Sequence, residues 1–157
     1  PRLLLQVIGP YEEANTQITS TVIPLLEKAG FRVTLYQPED FTTGFESVSQ
    51  FRSKYDAVLY LANIENRSNA TTTRINWYTF FGQGNNIPWF VDEVPTVFAS
   101  LGNPYHLMDV PMVKTYINTY DNHQAVIEAL VAKILGKSDF KGVSPIDPYC
   151  GLMDARR

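Results

Sequence analysis

The sequence predicts an α/β fold, a three-layer α/β/α sandwich with a mostly parallel central sheet. Short apolar runs closed by Gly or Pro recur along its 157 residues, amphipathic helical stretches separate them, and one strand–helix–strand unit has a breaker at each seam. Strands joined through helices favour right-handed crossovers and a sheet covered on both faces.

Leu3 to Ile8 is apolar apart from Gln6 and stops at Gly9-Pro10, so a buried strand is expected near residues 2–8. Ile18, Val22, Leu25 or Leu26, and Ala29 then follow at helical spacing up to Gly30, a C′ residue. Pro24 lies inside that pattern and is expected to kink or divide the helix. Phe31, Val33 and Leu35 alternate with polar neighbours, giving a second strand near 31–36 that Pro38 stops.

Phe41 to Tyr55 reads as a weaker helix, with Phe45, Val48 and Phe51 as its apolar positions. Residues 56–62 are a third core strand. The stretch from Asn63 to Pro95 is rich in Asn and Thr, then in aromatics, and a short helix is expected around Thr73 to Phe81. Residues 96–101 form the fourth strand, ending at Gly102-Asn103-Pro104, and a fifth is expected within 112–120.

Asp121 is a good N-cap and Gln124 stands at the N3 position of a capping box. Val126, Ile127, Leu130, Val131, Ile134 and Leu135 form a broad apolar helix face. Gly136 ends the helix, with Lys133 and Lys137 near its negative end. The organisation expected is a sandwich domain over 1–140 and an extended tail over 141–157, packing on the same domain or a neighbour.

Composition narrows the function classes. Hydrophobic residues make up 45% of the chain, enough for a core without metal or disulfide staples. Thirteen basic residues against 16 acidic ones give a net charge of −3 without a single-sign block, so neither nucleic acid nor an anionic membrane is an expected partner. Cys150 is the single cysteine, which excludes an internal disulfide and a cysteine metal cluster and suits a reducing, cytoplasmic setting; a secreted protein without disulfides would look the same. No apolar run approaches membrane-spanning length. The first residue is Pro rather than Met, which fits a processed chain or a fragment of a longer one.

Catalytic signatures are sparse. Gly9-Pro10-Tyr11-Glu12-Glu13 lacks the glycine spacing of a dinucleotide loop, and its glutamates would repel a phosphate. Ala99-Ser100-Leu101-Gly102 is not a nucleophile elbow, so Ser100 is expected to hydrogen-bond at a strand end. With two histidines, His106 and His123, no three-histidine metal site forms. His106 and Asp109 follow the fourth strand, where they could orient one another. Glu65, Asp92, Glu93 and Asp109 lie in post-strand loops, where the plain reading is carboxylates balancing Arg67, Arg74 and Lys114. The aromatic stretch from Trp77 to Phe90 suits either a sugar face or, preferably, a domain contact. No cofactor and no resident metal is expected.

The segment Pro95-Thr96-Val97-Phe98-Ala99-Ser100-Leu101-Gly102-Asn103-Pro104-Tyr105-His106-Leu107 resembles the C-terminal domain of family 3 glycoside hydrolases, with its nearest likeness to the bacterial β-N-acetylhexosaminidase branch. The likeness continues through Asp109-Val110-Pro111, Tyr116 to Tyr120, Ala125 to Leu130 and Ile134-Leu135-Gly136 to Lys141-Gly142-Val143-Ser144-Pro145-Ile146.

That resemblance implies a two-domain parent whose N-terminal TIM-type barrel carries an aspartate nucleophile, with a histidine–aspartate pair on a barrel loop in the hexosaminidase branch. None of those motifs occurs here, so no catalytic residue is carried over. In the β-glucosidase branch the second domain can supply a glutamate acid/base, but no local match places it on Glu65 or Glu93. The expected role is a non-catalytic accessory domain of a glycosidase, with the barrel as partner and carbohydrate near the domain interface. The alternative is an independent carbohydrate-binding or regulatory module using the aromatic loop 77–90. Candidate cleft or interdomain contacts are Trp77, Tyr78, Trp89, Asp92, Glu93, Asn103, Tyr105, His106 and Asp109. The rival to the accessory role is a self-contained site of His106, Asp109 and Asp92 or Glu93.

Overall fold

The computed structural model describes residues 1–38, 46–66, 73–77 and 86–152. Strands β1 (Arg2–Ile8), β2 (Arg32–Leu35), β3 (Ala57–Ala62), β4 (Thr96–Ser100) and β5 (Thr115–Asn118) form one parallel sheet in the order β2-β1-β3-β4-β5. The chain begins in β1, steps outward to β2, and then crosses back to β3 on the far side of β1. The order therefore reverses between β1 and β3, which is where open parallel sheets present a crevice.

Alternation along the strands sorts two cores. Leu3, Leu5, Leu59, Leu61, Ala99 and Leu101 point to one face, where α1 (Glu12–Lys28) covers them with Ile18, Val22 and Leu26, and α3 (Gln124–Ile134) with Ile127, Leu130 and Val131. Leu4, Val58, Tyr60, Ala62 and Phe98 point to the other. There the cover is mostly irregular chain: Phe51 of the short α2 (Val48–Lys54), joined by Ile75, Phe90, Val91, Val94, Val110 and Val113. The expected three layers are present, and among the described residues one outer layer is built largely without helix.

Several local expectations are corrected. Pro24 does not divide α1, because it lies on the exposed side of the helix, so the carbonyl that loses its amide partner remains open to water. The second helix is limited to Val48–Lys54, capped by a reciprocal Ser47–Gln50 box; Phe41 and Phe45 lie outside the described residues. Residues 73–77 are not helical, and 78–81 lie outside the described residues, as do 153–157 of the tail. The last helix starts at Gln124 with His123 in the cap position, and Asp121 instead accepts the His123 amide at 3.0 Å. Gly30 and Gly136 do take the left-handed conformation, at φ 92° and 68°.

Candidate functional site at the carboxyl end of the sheet

The segment leaving β4 carries most of the polar side chains singled out in the sequence, and the structure gathers four of them around residues 73–75 of the long β3–β4 connection. Asn103 Nδ2 donates to Thr73 Oγ1. His106 Nε2 meets the Thr73 carbonyl at 2.7 Å, and its Nδ1 meets Ser100 Oγ at 2.6 Å. Asp109 pairs with Arg74 through one oxygen and accepts the Ile75 amide at 3.3 Å through the other. His106 and Asp109 thus serve the same stretch of backbone from separate contacts and do not hydrogen-bond one another.

Proton accounting fixes the His106 tautomer. A carbonyl can only accept, so Nε2 carries the proton that faces Thr73. With the ring neutral, Nδ1 accepts from the Ser100 hydroxyl, and the nearby Asn103 carbonyl receives nothing from that hydroxyl. With the ring protonated, Nδ1 donates to Ser100, which can then donate to Asn103. Burial pushes the His106 pKa below its ordinary value; the Thr73 carbonyl and Asp109 oppose that shift, and Arg74 adds to it. Burial also pushes the neighbouring Tyr116 phenol up to about 12, keeping it a donor towards the Pro104 carbonyl at 3.3 Å.

This arrangement is a clamp. Ser100 and His106 are 0% and 1% exposed, and the outer ring nitrogen is committed to a backbone carbonyl. Asp109, expected on the surface, has a side chain only 7% exposed; its charge is offset by Arg74 and the Ile75 amide.

A second polar group, not singled out by sequence reasoning, fills the crevice between β1 and β3. Asn15 donates to the Gly9 carbonyl at 3.0 Å, Asn63 donates to Asn15 Oδ1 at 3.2 Å, and Asn122 donates to Asn63 Oδ1 at 2.9 Å and to Glu65 at 2.7 Å. These amides link the exits of β1, β3 and β5. A Cβ on Gly9 would sit 2.6 Å from the Asn63 carbonyl oxygen, so the exits are packed against one another where a doubly wound fold would admit a ligand. The sequence signal was an Asn immediately after an apolar strand, facing a Gly at the end of another.

The remaining candidates are dispersed. Trp77 sets its edge against the buried Tyr60, and Trp89 packs against Phe51 and Phe90, so both indoles serve the irregular outer layer. Tyr78 lies outside the described residues. Asp92 is an exposed carboxylate 3.2 Å from Lys114, and Glu93 is exposed. Tyr105 is 41% exposed beside the clamp. Among the described residues no group of three His, Cys, Asp or Glu could hold a metal ion, and no helix is long and apolar enough to cross a membrane.

No protein-family model matches the chain. It is 44% identical over 133 residues to a β-N-acetylglucosaminidase/β-glucosidase of Cellulomonas fimi, a match that takes in 84% of this chain and 23% of that enzyme. Among solved structures, the β-glucoside phosphorylase BglX superposes with a TM-score of 0.80 at 38% identity, over 99% of this chain and 27% of that one. A fungal multi-domain GH3 β-N-acetylglucosaminidase shares the fold alone, with a TM-score of 0.52 at 20% identity over 93% of this chain and 16% of that one. The chain therefore spans about a quarter of the length of the relatives it matches above 30% identity.

Proposed function

This chain matches the C-terminal portion of multidomain family 3 glycoside hydrolases, and on that premise we propose that it is a non-catalytic accessory domain of such an enzyme. Its parent cleaves terminal β-linked N-acetylhexosamine residues with a nucleophile carried on a separate N-terminal barrel. The observation that carries this reading is the 44% identity confined to 23% of the C. fimi enzyme. Chemistry at a glycosidic bond needs a preorganised nucleophile and proton donor. Here Asp109 and Glu65 are engaged with Arg74, Ile75 and Asn122, while Asp92 is an exposed surface carboxylate.

The name of the 38% identical phosphorylase adds a specific question about the parent, since the glycosyl group can pass to phosphate as well as to water. The test is turnover of chromogenic β-N-acetylglucosaminide and β-glucoside by this chain and by the two-domain parent, over pH 4 to 8, with and without phosphate. The expected result is no turnover by the chain, and turnover of the N-acetylglucosaminide by the parent. Activity of the chain that is lost in His106→Gln or Asp109→Asn would overturn the accessory role. Acceleration of the parent by phosphate would replace hydrolysis with phosphorolysis.

A further inference from the structure

The geometry points to a proton-operated latch at the exit of β4: a proton taken up by His106 turns the Ser100 hydroxyl onto the Asn103 carbonyl and fastens the turn from Gly102 to Tyr105. The latch is a property of this chain and stands independently of the accessory role.

Ser100 Oγ lies within hydrogen-bond reach of two groups, the Asn103 carbonyl and His106 Nδ1, the latter at 2.6 Å. A hydroxyl has one proton to give, and a carbonyl can only accept. Both contacts are therefore hydrogen bonds at once only when Nδ1 carries a proton of its own. Nε2 already carries one, committed to the Thr73 carbonyl at 2.7 Å. The complete set of bonds thus belongs to the imidazolium. In the neutral ring Nδ1 takes the Ser100 proton, and oxygen lone pairs are left facing one another across the Ser100–Asn103 contact.

The hydroxyl decides the hold on Asn103. Among the described residues no backbone amide reaches the Asn103 carbonyl, and Asn103 is 7% exposed, so an unmet carbonyl there is costly. The Asn103 side chain organises the rest of the turn. Its Oδ1 accepts the Tyr105 amide at 2.9 Å, and its Nδ2 donates to Thr73 Oγ1. Fastening the Asn103 backbone steadies the turn that presents the half-exposed Tyr105.

Charged and titratable groups approach from each neighbouring element. Asp109, at the end of the same 3₁₀ turn, favours a charge on the ring, and Arg74 of the β3–β4 connection opposes it; the two are paired with one another. Tyr116 of β5 stays a neutral phenol. Glu65 packs on Gly102 and accepts from Asn122. Burial opposes the added charge and the hydrogen bonds favour it. Acid therefore moves two quantities in opposite directions: the fold as a whole loses stability, while the turn is held more firmly within the folded state.

The experiment follows this chain by NMR from about pH 8 to about pH 4, with the exposed His123 replaced in His123→Gln so that His106 is the single histidine. The readouts are the imidazole nitrogen shifts, the Asn103 carbonyl carbon shift, and the amide protection of Tyr105 relative to Leu59 in β3. Protonation at Nδ1 is expected to shift the Asn103 carbonyl with the same midpoint, and to raise Tyr105 protection relative to Leu59 by about fivefold. In Ser100→Ala the ring should still titrate while Asn103 and Tyr105 no longer respond. Ring titration without a response at Asn103 and Tyr105 would overturn the latch. So would a response that persists in Ser100→Ala, or a ring that stays neutral until the chain unfolds. If Ser100→Ala does not fold, the presence or absence of a common midpoint for ring and carbonyl decides.

Discussion

Ser100 Oγ and His106 Nδ1 lie 2.6 Å apart, both fully buried, and the other nitrogen of the same ring holds the Thr73 carbonyl. A strand end, a 3₁₀ turn and an irregular loop thereby share one imidazole, which ties the irregular outer layer to the sheet.

Stability should depend on the protonation of that ring. The folded state holds the His106 pKa below its ordinary value of 6.5, so the unfolded chain binds more protons at mildly acidic pH. Its contribution is full above about pH 6.5 and is lost as the pH falls towards the depressed folded value. His106→Gln should lower stability at neutral pH by about 1–3 kcal/mol and flatten the decline between pH 7 and 5. Urea denaturation at several pH values measures both; parallel profiles for wild type and variant would show that the ring does not titrate on folding.

Removing the Asp109 carboxylate should loosen the loop locally. Asp109→Ala leaves the Ile75 amide without its partner and Arg74 without its counter-charge, at a cost of about 1–3 kcal/mol. Hydrogen exchange at Ile75 should speed up more than exchange at Leu59 in β3. Equal acceleration at both sites would point to global destabilisation in place of a local clamp.

Gly9→Ala tests the packing of the strand exits. Its methyl would meet the Asn63 carbonyl at 2.6 Å, a backbone atom that can yield only if β1 and β3 move apart. A loss of about 1–3 kcal/mol is expected from such overpacking, read as a lower melting temperature. An unchanged melting temperature would mean that the exits are less tightly joined than the amide bonds indicate.

Leu130 and Gly136 test α3. Leu130 is 3% exposed and packs into the core shared by α1 and the sheet, so Leu130→Ala should cost about 2–4 kcal/mol. Gly136→Val puts a β-branched residue at φ 68° with no steric neighbour within 4 Å; its cost, about 1–2 kcal/mol, is backbone strain alone. The Leu130→Ala loss should therefore be the larger of the two in chemical denaturation.

The sequence by itself determined the sheet and its helical cover. Alternation and unbroken apolar runs mark β1, β3 and β4, because a strand buried on both faces tolerates few polar residues. The 3.6-residue period marks Ile18, Val22 and Leu26 of α1, and Ile127, Leu130 and Val131 of α3. Gly30 and Gly136 were legible because a left-handed cap favours glycine. The polar break at Gln6 was visible, but its reason was not: its side chain donates to Tyr60 at 3.0 Å, and Tyr60 in turn donates to the Asn86 carbonyl at 2.9 Å. Only the tertiary structure decided that His106 and Asp109 act on Thr73 and Ile75 rather than on each other, that the indoles of Trp77 and Trp89 pack against core aromatics, and that Asn15, Asn63 and Asn122 meet. The polar contacts among them join residues 33 to 59 positions apart, mostly in loops, where no period relates one side chain to the next and the partners are set by how the strand exits converge.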